Sequence, residues 1–183
     1  MKKKSNKALI RFLVSALIIY ILWYVIYELW LHPWNKLDLL VINNLISLSS
    51  GILSLAGYDL IDFPYNESLR TMGIDGTHGL WIGDPCSGLT LFALFAGFII
   101  AYPGRKVKWK LLYIPLGLIS IHLLNVVRII ALSLITYYAP ESLDFNHTYT
   151  FTILIYSYVF FLWYFWASNS GFQAEETIIP EGK

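Results

Sequence analysis

Uncharged stretches of nearly membrane-spanning length dominate the pattern of this chain of 183 residues. Four of them contain no Asp, Glu, Lys or Arg, over residues 12–27, 39–58, 87–102 and 148–170. A fifth apolar stretch, residues 111–138, is interrupted by one arginine, Arg128. About 18 to 20 apolar residues in a row are enough for a helix that crosses a bilayer. The pattern therefore predicts an all-α polytopic membrane protein.

Composition supports the same class, because 57% of the residues are hydrophobic and only 14% are charged. A soluble domain of this size usually carries about 25% charged residues. We expect a single transmembrane domain over residues 1–170, followed by a disordered cytoplasmic tail over residues 171–183. The domain is expected to contain about four transmembrane helices, over about residues 8–31, 87–102, 109–138 and 149–167.

The basic residues orient these helices. Nine of the 13 lysines and arginines lie in two segments, residues 2–11 and 105–110. Basic residues that flank membrane helices stay in the cytoplasm, so both segments are expected inside and the N-terminus is expected to be cytoplasmic. The helix over residues 8–31 then runs outward, and the segment 32–86 is expected to be extracytoplasmic.

The apolar stretch 39–56 lies inside that extracytoplasmic segment and needs its own interpretation. Its polar residues recur at helical spacing and form one stripe, made of Asn43, Asn44, Ser47, Ser50 and Ser54. A helix with such a stripe can lie in the interface or re-enter the membrane without crossing it. If the stretch did cross, the basic segment 105–110 would be forced outside. We therefore predict an interfacial or re-entrant amphipathic helix, and whether the stretch crosses is left open.

The segment that precedes the only cysteine has the signature of a small hairpin. Residues 70–74 and 80–82 are separated by Asp75-Gly76-Thr77-His78-Gly79, a run of turn-forming residues. Two short strands joined by such a run are typical of a β-hairpin. A small extracytoplasmic hairpin is therefore predicted immediately before Cys86.

Three residues that are distant in sequence are predicted to reach one level of the membrane. Cys86 precedes the second spanning helix and His147 precedes the last one, so both lie at outer helix ends. Arg128 follows Trp109 by nineteen residues, which at 1.5 Å per residue is about 28 Å from the inner end of its helix. The hydrocarbon core is about 30 Å thick, so Arg128 should also lie near the outer surface.

A cysteine beside a histidine is the minimum pair for thiol catalysis, because the imidazole takes the thiol proton and returns it to a leaving amine. A nearby cation such as Arg128 stabilises a thiolate or an oxyanion. Each residue also has an ordinary interpretation: a lone cysteine is usually a small buried side chain, and an arginine near a helix end can extend to the interface.

Three further polar residues could support such a site. Asn125 and His122 lie on the same helix as Arg128, at a spacing that puts all three on one face, and Ser87 follows Cys86 directly. A metal site made of His78, His122 and His147 is not favoured, because no pair has a recognised ligand spacing. A metal site is therefore not predicted.

At these residues the sequence resembles the exosortase/archaeosortase family of membrane cysteine transpeptidases. The matching elements are Cys86-Ser87-Gly88-Leu89, Asn125-Val126-Val127-Arg128-Ile129 and His147, in the family's order, and the resemblance covers about residues 72–167. Two features depart from it: many members are longer, and Pro85 stands where a small residue is more usual.

The resemblance implies that Cys86 is the nucleophile, His147 the general acid and base, and Arg128 the stabiliser of the thiolate or oxyanion. It implies no cofactor. It also implies an exported protein substrate with a C-terminal sorting signal that includes a membrane helix, processed at the outer face of the cytoplasmic (inner) membrane of a prokaryote.

Three other functions stay open on sequence grounds. The chain could be a non-enzymatic assembly or binding subunit, in which Cys86→Ala would have no effect. It could be a transporter component that uses Arg128, His122 and Asn125 as a polar path, or a hydrolase based on Ser87. The partners expected in every case are the lipid bilayer and not nucleic acid. The substrate motif, the acceptor, the choice between hydrolysis and transpeptidation and the oligomeric state are not encoded in these patterns.

Overall fold

Long helices and one two-stranded sheet make up the part of the chain that the structure, a computed structural model, describes, namely residues 2–62, 70–103 and 105–169. The predicted tail over residues 171–183 lies outside these residues. The elements in chain order are α1 (Lys2–Ile26), α2 (His32–Trp34), α3 (Lys36–Leu55), β1 (Thr71–Met72), β2 (Leu80–Trp81), α4 (Leu89–Ala101), α5 (Val107–Tyr138), α6 (Leu143–Phe145) and α7 (Phe151–Asn169). Short π-helical segments, Tyr27–Leu31 and Asn146–Thr150, connect α1 to α2 and α6 to α7.

Four helical stretches are long and apolar enough to cross a membrane. They are Leu9–Trp34, Lys36–Leu55, Val107–Tyr138 and Pro140–Ser168. Large apolar side chains along α1 face outward, among them Leu9, Leu13 and Leu17, each more than half exposed. Such a surface is suited to lipid rather than to water. The prediction of an all-α multi-pass membrane protein is confirmed.

The four long stretches differ from the four predicted spans at one place. The helix expected over residues 87–102 is α4, and it has 13 residues, which gives a length of about 20 Å. Gly88 in the left-handed conformation sets its start, and the chain becomes extended at Tyr102, just before Pro103. Of the two helices, α3 and not α4 is therefore long enough to be counted among the four stretches that could cross a membrane.

Contacts of α1, α4 and α5 define two ends of the bundle. Phe12 of α1 meets Phe98, near the end of α4, at a ring distance of 5.4 Å. Trp23, further along α1, lines a cavity with Ala93, nearer the start of α4, so α1 and α4 are antiparallel. We call the end that carries Lys7, Arg11 and Lys110 the basic end. The opposite end carries Asp84, Asp144 and the hairpin, and we call it the acidic end.

Helix α3 runs alongside the C-terminal half of α5 and in the same direction. Asn44 bonds His122, Ser49 bonds the Val126 carbonyl, and Tyr58 just after α3 bonds Tyr138. The chain therefore leaves α3 at the acidic end and does not return to the basic end. This path agrees with the two basic segments lying on one side of the membrane, and the interfacial or re-entrant placement of α3 stays a prediction.

The predicted hairpin is confirmed. Strands β1 and β2 are antiparallel, with Thr71 opposite Trp81 and Met72 opposite Leu80. Buried residues from the hairpin and from two helices form one apolar core at the acidic end, made of Ile42, Leu53, Met72, Ile74, Ile82 and Ile129. Because Cys86 packs on this core, the hairpin helps to fix the position of the cysteine.

An ion-pair cluster ties the turn before Cys86 to the rest of the acidic end. The Arg70 guanidinium donates hydrogen bonds to the Asp84 carboxylate and to the Asn35 side chain. His32 lies 3.3 Å from the second Asp84 oxygen. The Arg70 side chain is only 9% exposed, so an unpaired Asp84 or Arg70 would be costly there. We call Arg70, Asp84, His32 and Asn35 the clamp.

Substitution of Gly117 tests the packing between α4 and α5. An added Cβ would lie 2.2 Å from the ring of Phe95, which is fully buried. Gly117→Ala is therefore expected to lower the free energy of unfolding by about 1–3 kcal/mol. Gly51→Ala is the control, because nothing lies within 4 Å of its added Cβ, and it should stabilise α3 by about 0.5–1 kcal/mol. Thermal unfolding in detergent micelles measures both, and equal midpoints for the two variants would contradict this packing.

A double-mutant cycle on Arg70→Gln and Asp84→Asn tests the clamp. A hydrogen bond to a charged group contributes about 1.5–3 kcal/mol, so the double variant should lose less stability than the sum of the single variants by about that amount. Asp75→Asn combined with Arg70→Gln is the control, because the Asp75 carboxylate bonds the adjacent Gly76 N–H. Additive losses for Arg70 and Asp84 would show that the two residues do not act as a pair.

Candidate active site

Cys86 ends a short 3-10 turn, Asp84–Cys86, just before α4 begins. The Cys86 N–H donates to the Gly83 carbonyl at 2.9 Å, and the Ser87 N–H donates to the Asp84 carbonyl at 3.0 Å. Pro85 occupies an early position of this turn, where its missing N–H costs no hydrogen bond. The thiol is free and partly buried. The turn thus presents Cys86 at the acidic end, with the clamp on one side and α4 on the other.

His147 lies next to Cys86 although 61 residues separate the two. The Cys86 Sγ and the His147 Nε2 are 3.8 Å apart, within hydrogen-bond range for sulfur. His147 is carried by the π-helical segment Asn146–Thr150 that leads into α7. When its proton is on Nδ1, the Nε2 atom is free to accept the thiol proton. This distance is the geometry that a thiol–imidazole pair requires.

Arg128 brings a positive charge to the same region from α5. Its charge acts on the imidazole of His147, as does the opposite charge of Asp144. The Arg128 Nε atom is buried and has no hydrogen-bond partner among the described residues. No ion pair within residues 7–62, 70–103 and 105–169 involves Arg128. Its guanidinium therefore keeps donors that a developing anion beside Cys86 and His147 could use.

Asn125 lies one helical turn before Arg128 and packs beneath the start of α4. Its side chain is 1% exposed, and neither amide atom has a partner in the described part of the chain. A Cβ added to Gly88 would lie 2.4 Å from the Asn125 Nδ2, and Gly88 has a φ of 79°. Only glycine fits both constraints without strain. The pair fixes how closely α5 approaches the turn that carries Cys86.

Ser87 and His122, the other two predicted supporting residues, have partners of their own. The Ser87 side chain is 1% exposed, and its Oγ accepts a hydrogen bond from the Leu89 N–H at 3.3 Å. This is a local turn in which a serine hydroxyl binds the N–H two residues further along the chain. His122 Nε2 and Asn44 Oδ1 are 2.8 Å apart, which joins α5 to α3. Neither side chain is hydrogen-bonded to Cys86 or His147.

The clamp is the part of the site that sequence reasoning missed. No contribution to the site was expected from Arg70 or His32. One signal was present: Arg70 is the only lysine or arginine between Lys36 and Arg105. A single cation in a long acidic and apolar segment indicates a specific carboxylate partner, although it does not say which one.

Two apolar cavities lie beside α4, on the side of the bundle that faces α1 and α7. One, of about 400 Å³, lies between α4 and α7 and includes Leu91, Tyr156 and Phe160. The other, of about 120 Å³, includes Trp23 of α1 and Gly97 of α4. Trp163 lines both cavities. Together they form a lateral groove, with α4 as its floor and α1 and α7 as its walls.

The residues that the structure describes contain no cluster of metal ligands. No group of three or more His, Cys, Asp or Glu side chains among them is placed to hold a metal ion. His78, His122 and His147, which were considered as ligands, do not form such a group.

Comparison with known proteins extends the resemblance beyond residues 72–167. A family model described as transmembrane exosortase matches residues 4–166. The chain is 30% identical over 167 residues to the probable archaeosortase D of Methanocaldococcus jannaschii, an overlap of 91% of this chain and 92% of that protein. No solved structure matches the chain at a significant level. The chain therefore belongs to the exosortase/archaeosortase family of transmembrane proteins.

Proposed function

We propose that the chain is a membrane cysteine peptidase or transpeptidase that cleaves C-terminal sorting signals of exported proteins. The observation that carries the proposal is the 3.8 Å distance between the Cys86 Sγ and the His147 Nε2. A lone cysteine is usually an inert packing residue. A partly exposed thiol in contact with an imidazole, near an arginine that has no ion pair among the described residues, is instead suited to nucleophilic chemistry.

In the first step, His147 takes the Cys86 proton and the sulfur attacks the carbonyl carbon of the scissile peptide. The carbonyl oxygen becomes an oxyanion, which the Arg128 guanidinium stabilises. The protonated His147 then gives its proton to the nitrogen of the leaving segment. The C–N bond breaks, the segment with the membrane helix departs as a free amine, and the remaining protein is held as a thioester on Cys86.

In the second step, the thioester is attacked by water or by an acceptor amine. His147 takes a proton from the attacking group and returns one to the Cys86 sulfur as the C–S bond breaks. Water gives a released protein with a new carboxyl end, and an amine gives a protein anchored through a new amide. The choice between them depends on which nucleophile reaches the acidic end.

The lateral groove offers a path for a substrate that is itself anchored by a helix. Its floor, α4, is too short to cross the bilayer, and its walls α1 and α7 are longer. A substrate helix in the groove would contact the apolar lining between α4 and α7, which includes Leu91, Tyr156 and Phe160. Its outer end would then lie near Cys86, at the N-terminal end of α4.

The proposed orientation has the N-terminus and the basic end in the cytoplasm. It follows from the positive-inside tendency of membrane proteins. The acidic end, with Cys86, Arg128 and His147, would then face outward across the cytoplasmic (inner) membrane of a prokaryote. Exported proteins, water and acceptor amines are all accessible on that side.

Loss of the thiol is expected to abolish processing while the protein is still made. In cells with Cys86→Ala, exported proteins with a C-terminal membrane helix should keep that helix, whereas the wild type removes it. Mass spectrometry of membrane-protein C-termini measures the difference and identifies the substrate. Unchanged C-termini with normal amounts of the variant would reject catalysis by Cys86 and favour a non-enzymatic assembly subunit.

Loss of the imidazole is expected to slow cleavage about 10²–10⁴-fold, the usual contribution of a general acid–base group. His147→Gln keeps a polar side chain of similar size, and His78→Gln is the matched control at the exposed tip of the hairpin. Processing of the substrate identified above is measured with time for both variants. Equal rates for His147→Gln and the wild type would contradict the assigned role.

Cys86 is the only cysteine in the chain, so alkylation of the purified protein reports on that thiol alone. A hydrogen bond to a charged group contributes about 1.5–3 kcal/mol, so His147→Gln should slow the reaction with iodoacetamide by roughly tenfold or more. His78→Gln should react at the wild-type rate. If both variants react like the wild type, the contact between Cys86 and His147 does not activate the thiol.

A further inference from the structure

A cavity of about 650 Å³ lies at the basic end, at the opposite end of the bundle from the proposed active site. It is formed between the first half of α1 and the connection from α4 to α5. Its lining residues are Lys7, Arg11, Phe12, Ser15, Ile19, Ile100, Ala101, Tyr102, Pro103 and Lys110. None of them is an acid, so the cavity has three cations and no carboxylate in its wall.

Lys110 is held in place by the end of α4. Its Nζ donates hydrogen bonds to the carbonyls of Ile100 and Tyr102, both at 2.7 Å. These carbonyls are among the last of a helix and lack partners within it. An ammonium group has three N–H donors, so one remains after the two carbonyls are bound. The cation is thus preorganised at the wall of the cavity with a donor still available.

Lys7 and Arg11 approach the same cavity from α1, one helical turn apart. No ion pair in the described residues involves either of them, because the three pairs there lie around Glu28, His32, Arg70 and Asp84. A guanidinium and two ammonium groups that converge without an anion form a site suited to phosphate.

The rest of the lining is apolar and continues toward the middle of α1. Phe12, Ile19 and Ile100 follow the cations along the cavity. Neighbouring side chains of α1, including Leu9 and Leu13, are exposed on the lipid-facing surface. The cavity therefore combines a cationic rim with an apolar interior beside the bilayer. Such a lining matches a phospholipid, which has a charged head group and apolar chains, better than it matches a free anion.

We infer that this cavity binds the phosphate group of a membrane phospholipid. The phosphate contacts Lys7, Arg11 and Lys110, and the upper part of an acyl or alkyl chain lies along Phe12 and Ile19. A lipid bound in this way joins α1 to the start of α5. It stabilises the packing that places α1 as one wall of the lateral groove, and it does not depend on the chemistry at Cys86.

The test uses the full-length protein in detergent, with phosphatidylglycerol as the lipid probe. Lys7→Gln with Arg11→Gln removes two cations from the cavity, and Lys106→Gln with Lys108→Gln removes two from the same end outside it. Native mass spectrometry should show phosphatidylglycerol retained by the wild type and by the control pair. The fraction of protein that retains phosphatidylglycerol should fall at least fivefold in the cavity pair, Lys7→Gln with Arg11→Gln. Unfolding midpoints without lipid check that both pairs are folded.

Two additional probes separate the sources of the phosphate. Diacylglycerol with the same chains lacks the phosphate and should not be retained. Inorganic phosphate alone should not raise the unfolding midpoint, whereas phosphatidylglycerol should raise it in the wild type and the control pair. Equal losses in the two pairs, equal retention of diacylglycerol, or a rise with inorganic phosphate and none with the lipid would each overturn the inference.

Discussion

The short length of α4 determines where the polar chemistry of this protein can lie. With 13 residues, α4 reaches about 20 Å, whereas the apolar core of a bilayer is about 30 Å thick. The turn that carries Cys86 therefore lies at the level of Asn125, one helical turn before Arg128, within the length of α5 rather than beyond its end. A polar turn at such a depth must be covered and hydrogen-bonded by protein. The hairpin, α3 and the clamp supply that cover.

This arrangement explains why polar groups concentrate at one end of an otherwise apolar bundle. Arg128 has no carboxylate partner in the described residues, and such a charge is costly at the edge of a membrane unless it faces a polar space. Asn125 is likewise buried without a partner. Unsatisfied buried groups are rare in native proteins and are often associated with function. Asn125 packs against Gly88, just after the thiol, and the charge of Arg128 acts on the imidazole of the proposed active site.

Much of the architecture could be predicted from the sequence, because it depends on local patterns. The apolar stretches predict the helices, and the glycine-rich run 75–79 predicts the hairpin. The fixed rise of a helix is enough to bring Arg128 to the level of Cys86 and His147. These inferences need only periodicity, charge and length.

The remaining features depend on side-chain pairs that local patterns do not encode. Arg70 and Asp84 are 14 residues apart in sequence, and His32 and Asp84 are 52 residues apart. Neither separation is a recognisable sequence pattern. The relative lengths of α3 and α4 were also not predicted, because an uncharged stretch shows how far a helix could extend and not where its backbone bends. The 3.8 Å distance between Cys86 and His147 required the packing of α4, α5 and α7.

Detection of the acyl-enzyme tests the central claim most directly. Wild-type protein, isolated with its substrate and quenched in acid, is digested, and the peptide that contains Cys86 is examined by mass spectrometry. The account predicts that this peptide carries the C-terminal end of the cleaved substrate through a thioester that hydroxylamine removes. An unmodified Cys86 in a protein that is processing substrate, or an adduct on Ser87 instead, would contradict it.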